Sequence, residues 1–355
     1  MARAMTVRNE NALPNDVIIT GRGTAALAAF LRAAVAPGAG VLIPVNLCAI
    51  AVAGIVGAGF RPVFHDVSPI HGNAELHHLE AADLAGCAVV LAVHNFGRPV
   101  DAIAFRGFAK AHGMMLVEDV CNALVASSDS HALGQVGDAA FFSFNYGKII
   151  DCGHGGAIYV RDPVLRSRVQ KVIEDMPAHT RRHKKATEDL EAELRTARLG
   201  NSPRDQKAAY ERYRSFSEFQ ADSEWAGEIR RALEELSSNV VHRRKLAHRY
   251  QAMIAHPDAM HTPIEEGSVP WRYSILVPPP LRNEVLVRLR SEHIPCSAWY
   301  PPVNDIFAPD VPLNYPGAER FSGSVINLWT DPATDEAAVD RTSARINSLL
   351  EDFAV

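Results

Sequence analysis

From residue 17 to residue 162, short apolar runs alternate with stretches of helical periodicity, and this alternation restricts the fold more than any other feature of the chain. VIIT (17–20) precedes TAALAAFLRAAV (24–35), VLIPV (41–45) precedes LCAIAVAGIVGA (47–58), PVFHDV (62–67) precedes ELHHLEAADL (75–84), and VVLAVHNF (89–96) precedes AIAFRGFAKAH (102–112). MLVEDV (115–120), AAFFSF (139–144) and GAIYV (156–160) complete the strand set. Parallel neighbours need a crossover that a helix supplies, so strands rich in Val, Ile and Phe interleaved with helices predict a mostly parallel sheet covered on both faces. The fold class is α/β.

After Asp162 the pattern changes. Residues 163–255 show no strand and many charges, and EIRRALEELSSNVVHRRKLAHRY (228–250) predicts an amphipathic helix interrupted near Ser237 to Asn239. Beyond residue 256 come a strand at YSILV (273–277), a helix around EVLVRLRSEH (284–293), an apolar SAWYPP (297–302), a strand at SVINLW (324–329) and a helix from Glu336 to Phe353. The expected organisation is a large α/β domain over 1–245, with a charged helical segment at about 163–235, and a smaller α+β domain over 246–355. A chain of 355 residues is long enough for both.

Several function classes drop out. A formal net charge of −5 argues against a nucleic-acid binder driven by a positive field. No apolar run is long enough to span a membrane, and MARAMTVRNENALPND (1–16) lacks the apolar core of an export signal, so a cytoplasmic protein is expected. The five cysteines are odd in number and scattered, with no C-x-x-C pair, which points to reduced thiols and to no metal site.

The chemistry collects at strand ends. GRGTAA (21–26) follows a strand and opens a helix, and no acid closes the next strand, VLIPV, as a nicotinamide fingerprint requires. What remains is a helix N-terminus whose N–H groups, with the Thr24 hydroxyl, suit a phosphate; the competing reading is a plain N-cap by Thr24. In MLVEDVCNA (115–123) the adjacent Glu118 and Asp119 point to opposite faces of a strand, so only one faces a ligand at the carboxyl edge. In FFSFNYGKIIDCGHGG (141–156), Ser143 ends an apolar strand and Lys148 follows without the glycine spacing of a P-loop. A partly desolvated lysine can form a Schiff base with an aldehyde. Pyridoxal 5'-phosphate needs such an amine, a phosphate cradle and a carboxylate on its ring nitrogen, and Lys148, the Gly23–Thr24–Ala25 turn with Ser143, and Asp119 match those needs.

With these residues in place the chain resembles the DegT/StrS-type sugar aminotransferases, pyridoxal-phosphate enzymes of fold type I in the aspartate aminotransferase superfamily. The likeness is carried by GTAAL (23–27), GFRPVFHDV (59–67), VHNFGRPVD (93–101), EDVCNA (118–123), GDAAFFSFNYGK (137–148), GHGG (153–156), YPP (300–302) and PGAER (316–320). It implies that Lys148 forms the Schiff base with the cofactor and then shuttles a proton, and that Asp119 keeps the ring nitrogen protonated. It also implies that Gly23, Thr24, Ala25 and Ser143 bind the phosphate, with Asn122 near the ring's phenolic oxygen. His94, Tyr146, His154 and Tyr300 are candidates for contacts around the substrate. A homodimer with sites at the subunit interface, acting on small molecules with no nucleic acid or membrane partner, is the associated expectation.

The chain departs from the family pattern at Cys48, where an aromatic residue usually covers the cofactor ring, at His154 in place of Glu, and at Gly147 in place of a hydroxyl residue. The family's G-x-N-x-R segment is missing, and a charged helical stretch over 172–230 replaces it. His94 reads either as a ligand contact or as a satisfied structural histidine, and His154 either as a site residue or as a partner of a backbone carbonyl. Cys48 either lines the cofactor face or packs, and the basic run RRHKK (181–185) either meets a substrate phosphate or is a solvated face. The expected activity is transfer of an amino group from an amino-acid donor, such as glutamate, to a keto sugar, nucleotide-linked, or to a keto-cyclitol. The alternatives are another pyridoxal-phosphate reaction on an amino-acid adduct, such as dehydration or elimination, and a ligand-binding regulator without turnover.

Overall fold

The structure, a computed structural model, describes residues 13–353 apart from 15, 129, 130, 201, 312 and 313. Residues 1–12, most of the stretch read for an export signal, lie outside the described residues. The strands in chain order are β1 (Ile18–Thr20), β2 (Gly40–Pro44), β3 (Arg61–His65), β4 (Cys87–Val93), β5 (Met115–Asp119), the short β6 (Ser127–Ser128) and β7 (His131–Ala132), β8 (Ala139–Ser143), β9 (Gly156–Val160), β10 (Met260–His261), β11 (Arg272–Leu276), β12 (Cys296–Ser297) and β13 (Val325–Trp329). Helices α1 (Gly23–Ala34), α2 (Ala49–Gly57), α3 (Leu76–Glu80) and α4 (Ala102–Ala111) lie between the early strands.

A seven-stranded sheet runs in the order β1-β9-β8-β5-β4-β2-β3. The β2–β3, β2–β4, β4–β5 and β5–β8 pairs are parallel, and β9 runs against its neighbours β8 and β1. All five residues of β2 are buried, as are Val89 to Val93 of β4, because helices cover both faces and leave no solvated side to alternate with. The carboxyl ends Thr20, Asp119 and Ser143 therefore share one edge, with Thr20 and Ser143 both opposite Gly156.

Five helices follow β9: α5 (Pro163–Glu174), α6 (Arg181–Leu199), α7 (Pro203–Ser217), α8 (Trp225–Glu234) and α9 (Leu236–Met253). The charged stretch is thus helical, as its lack of strand patterning predicts. The interruption expected at Ser237–Asn239 falls instead at Glu235, which ends α8 and starts α9 with ψ near 0°. The three polar residues sit inside the first turn of α9, where Ser238 Oγ donates to the Glu235 carbonyl and Asn239 Nδ2 to the Ile149 carbonyl. First-turn polar side chains serve a helix start rather than a break. The helix α3 is also shorter than the pattern ELHHLEAADL, because Asp83 accepts from the Ala85 N–H in a local turn.

A four-stranded antiparallel sheet, β10-β11-β13-β12, forms the second core with the end of α9, α10 (Pro279–Ser291) and α13 (Glu336–Phe353). The helix α10 starts five residues before the apolar run that predicts it, since prolines suit a first helical turn. Two short helices escape the sequence reading, α11 (Asn304–Phe307) and α12 (Pro316–Ser324). The second explains two motifs at once: Asp66 of HDV accepts from the Gly317 and Ala318 N–H groups at 2.8 Å each, so PGAER is a helix start docked on the first sheet.

Candidate functional site

The cradle comes first. The helix α1 starts at Gly23 after Arg22, whose side chain makes no cap. Thr24 is inside the first turn, so it is not the N-cap, and its buried Oγ1 has no hydrogen-bond partner. Gly23 lies against β8: a Cβ there would stand 3.1 Å from the Phe142 carbonyl and 3.3 Å from Ser143 Cβ. Uncapped N–H groups, an unsatisfied hydroxyl and a backbone bared by glycine make a site for an anion, and Ser143 and Ala25 border it.

The two acids of β5 divide as strand alternation requires. Glu118 is fully buried and accepts from Val136 N at 2.8 Å, Gly137 N at 2.7 Å and Gly134 N at 2.9 Å. His94 Nε2 lies 3.3 Å from Glu118 Oε2, while His94 Nδ1 accepts from Val100 N at 3.0 Å. Both nitrogens of His94 are thus used inside the protein, which supports its structural reading. Burial works against ionised Glu118, but the hydrogen bond from His94, with the Gly137 and Gly134 N–H groups, holds its carboxyl below the usual range.

Glu118→Gln places an amide nitrogen against N–H donors and is expected to cost about 2–3 kcal/mol of stability. The folded pKa of Glu118 lies below its unfolded value, so its contribution is present above the unfolded value and is lost as pH falls through the folded one. Denaturant unfolding at pH 7 should therefore separate the two proteins more than unfolding in the acid range. Equal midpoints at pH 7 overturn this reading.

Asp119 faces the other way. Its Oδ1 accepts from Cys121 N at 2.9 Å, and burial pushes its carboxyl above the ordinary range, with the Cys121 N–H and the Lys148 charge pulling it back. A buried carboxyl whose ionised form is disfavoured suits a positively charged partner at this place.

Lys148 stands in a tight turn. Gly147 has φ +74°, a conformation side chains rarely adopt, so glycine suits this position. Asp151 accepts from Gly147 N at 2.7 Å and Gly153 N at 3.0 Å, and Trp271 Nε1 donates to the Gly147 carbonyl at 2.5 Å. The amine of Lys148 donates to Asn122 Oδ1 at 2.8 Å and lies 6.0 Å from the centre of the Trp271 ring. Asn122 Nδ2 is 3.3 Å from the Tyr300 hydroxyl, and the Tyr300 ring stacks on Trp271 at 6.1 Å and 9°. Trp271 is the residue that sequence reasoning missed. A tryptophan opening a strand in the smaller unit carries no local signal for contact with a loop 124 residues earlier.

The remaining candidates lie farther out. Cys48 precedes α2 and packs beside the apolar cluster that holds Tyr300. Its thiol lies near enough to Tyr300 to add to the burial that raises that phenol. Tyr146 is 77% exposed. His154 stacks on Trp225 at 4.2 Å with Nε2 2.7 Å from Glu228 Oε2, so it joins α8 and meets a carboxylate, not a backbone carbonyl. Within the basic run, Lys185 pairs with Asp189 on the exposed face of α6.

The donor set fits pyridoxal phosphate: the unsatisfied Thr24 hydroxyl and the bare Gly23 turn for its phosphate, Asp119 for its ring nitrogen, and Lys148 for its aldehyde. Among the described residues no helix is long and apolar enough to cross a membrane, and no group of three or more His, Cys, Asp or Glu is placed to hold a metal ion.

A family model described as the DegT/DnrJ/EryC1/StrS aminotransferase family matches residues 14–347. The dTDP-4-dehydro-2,3,6-trideoxy-D-glucose 4-aminotransferase of Saccharopolyspora spinosa is 28% identical over 351 residues, 95% of this chain and 85% of that protein. The L-glutamine:2-deoxy-scyllo-inosose aminotransferase of Streptomyces kanamyceticus is 30% identical over 154 residues, 43% of this chain and 36% of that protein. Among solved structures, the aminotransferase TlmJ from Streptoalloteichus hindustanus has the same fold, with a TM-score of 0.79 at 23% identity over 96% of this chain and 87% of that one.

Proposed function

The chain belongs to the DegT/DnrJ/EryC1/StrS aminotransferase family, and from that premise we propose that it uses pyridoxal 5'-phosphate to move an amino group from an amino-acid donor to a keto sugar or keto-cyclitol. Glutamate is the first donor to test. The observation that carries this reading is the Lys148 amine, held at 2.8 Å by Asn122 Oδ1 on the same sheet edge as the uncapped start of α1 and the buried Asp119.

When bound, the cofactor supplies an aldehyde that captures amines and a ring that takes up electrons. The chain's own residues do the rest. The first turn of α1, the Thr24 hydroxyl and Ser143 hold the phosphate, and the Asp119 carboxylate keeps a proton on the ring nitrogen. Asn122 orients the Lys148 amine, and that amine carries the proton onto and off the substrate carbon that bears the nitrogen. Trp271 fixes the turn beneath the amine and stacks on Tyr300 beside it.

Dehydration or elimination is not favoured, because the reported relatives carry aminotransferase names. A homodimer with sites at its interface belongs to the same proposal. Tyr146, exposed two residues before Lys148, supports it as a surface for a partner to cover. The division at 245/246 is supported by the second core, which begins at Leu246.

Purified holoprotein mixed with glutamate is expected to lose its long-wavelength absorption band and gain that of the amine form of the cofactor. If no donor in a broad amino-acid panel changes the spectrum, the aminotransferase reading falls.

A further inference from the structure

Helices α6 and α7 occupy the stretch where the family's G-x-N-x-R segment is missing, and α6 touches two neighbours of the site. Near the start of α6, Thr187 Oγ1 accepts from Arg22 Nη2 at 2.8 Å, and Arg22 is the residue from which α1 sets out. At the other end, Arg198 Nη2 donates to the Tyr210 hydroxyl at 2.9 Å, and the guanidinium carbon lies 5.8 Å from the centre of the Trp299 ring. Trp299 precedes Tyr300, which meets the Asn122 amide that holds Lys148. From Thr187 to Arg198 the helix covers about 16 Å at the α-helical rise. The helix therefore spans from the residue before α1 to the ring of Trp299, the neighbour of Tyr300.

The helix pair is fastened. Tyr210 of α7 is buried, with its ring 5.6 Å from that of Phe307, and Arg32 of α1 makes two hydrogen bonds to Glu218, the residue that ends α7. Burial raises the Tyr210 phenol, the Arg198 charge and hydrogen bond oppose it, and the Cys48 thiol nearby adds to the rise. The start of α2, the end of α6, the middle of α7 and the Trp299 loop thus lie near one another.

Arg198 itself is exposed. A guanidinium carries five N–H donors, so the bond to Tyr210 leaves others free. The nearby acid Glu193 is paired with Arg212. A planar fork of charged donors beside an aromatic ring suits the oxygens of a phosphate group better than an uncharged ring of hydroxyls.

We propose that Arg198 determines acceptor specificity in this chain, binding the phosphate or diphosphate of an anionic keto sugar while the keto carbon meets Lys148. This rests on the aminotransferase reading and narrows it, since a neutral keto-cyclitol offers Arg198 no partner. The hairpin supplies the charge from the same chain.

The test uses holoenzyme and two probes, dTDP and thymidine, with binding measured by titration calorimetry. Arg198→Ala is expected to weaken dTDP about 10- to 100-fold, the range for a hydrogen bond to a charged group. Thymidine should bind both proteins alike, and Arg198→Lys should recover part of the loss. Tyr210→Phe, which removes only the hydroxyl that Arg198 holds, should stay within about 3-fold of the parent, whereas a merely structural Arg198 would give two equal losses.

The glutamate-induced spectral change should be the same, within about 2-fold, in Tyr210→Phe and the parent. Affinity for dTDP within about 2-fold of the parent in Arg198→Ala, equal losses in Arg198→Ala and Tyr210→Phe, or a parent that does not bind dTDP overturns the proposal. Should Arg198→Ala fail to fold, Arg198→Gln and Arg198→Lys decide by the same measure. Loss of the glutamate response in the parent overturns the aminotransferase reading instead, and the dTDP titration still reads Arg198 by itself.

Discussion

Lys148→Ala is expected to lower turnover by about 10⁴-fold or more while leaving the fold intact. A positioned acid–base group contributes about 10²- to 10⁴-fold by itself, and the proposed function gives the same amine the bond to the cofactor as well, so one truncation removes both effects. Stability should change little, because Lys148 is half-buried and its amine engages Asn122, whose Nδ2 keeps Tyr300 and Asn95 within 3.4 Å. Lys148→Arg should be as inactive, since a guanidinium keeps the charge but does not give up its proton. Small primary amines added to Lys148→Ala should restore part of the rate, because the truncation leaves room where the amine stood. Borohydride treatment with pyridoxal phosphate should add the cofactor's mass to the peptide bearing residue 148 in the parent and not in the variant. More than about 1% of parent turnover in Lys148→Ala, or the same modified peptide, removes Lys148 from this role.

The parts of the protein that sequence made legible are those with short-range causes. The alternation from 17 to 162 predicts each strand of the large sheet, because burial on both faces demands continuous apolar runs. The candidate anion site is visible in GRGTAA because a strand, a glycine and a helix start are adjacent in the chain. Glu118 and Asp119 separate by alternation alone, although only the structure shows that Glu118 gathers three N–H groups from the loop before β8.

What sequence did not reveal depends on contacts between distant segments. Trp271, just before β11, meets Gly147 across 124 positions, and Asp66 meets Gly317 across 251 positions. The departures from the family pattern also become intelligible only in three dimensions. Gly147 suits a positive φ, and His154 belongs to the aromatic contact that ties the glycine-rich loop to α8. Cys48 lies near Tyr210 and Tyr300.

Asp119→Asn separates activity from stability in the opposite sense to Glu118→Gln. Turnover should fall about 10²- to 10³-fold, because an amide does not hold a proton on the ring nitrogen as an adjacent carboxylate does, and the ring then takes up electrons poorly. Stability without cofactor should not fall with it. Burial places the folded pKa of Asp119 above its unfolded value, so ionisation works against the fold. The stability this group allows is fully present below the unfolded pKa and is lost as pH rises through the folded one. At pH 7 the parent carries that cost and the variant does not, while the amide oxygen introduced by the substitution still accepts from the Cys121 N–H. The variant freed of cofactor is therefore expected to unfold at an equal or higher denaturant concentration at pH 7, with the difference closing in the acid range. With cofactor bound the order should reverse, because only the carboxylate gains from the charged ring. Parent-like turnover in Asp119→Asn would mean that the ring nitrogen is held by another group. A stability loss matching the activity loss would mean that Asp119 is a structural acid like its neighbour.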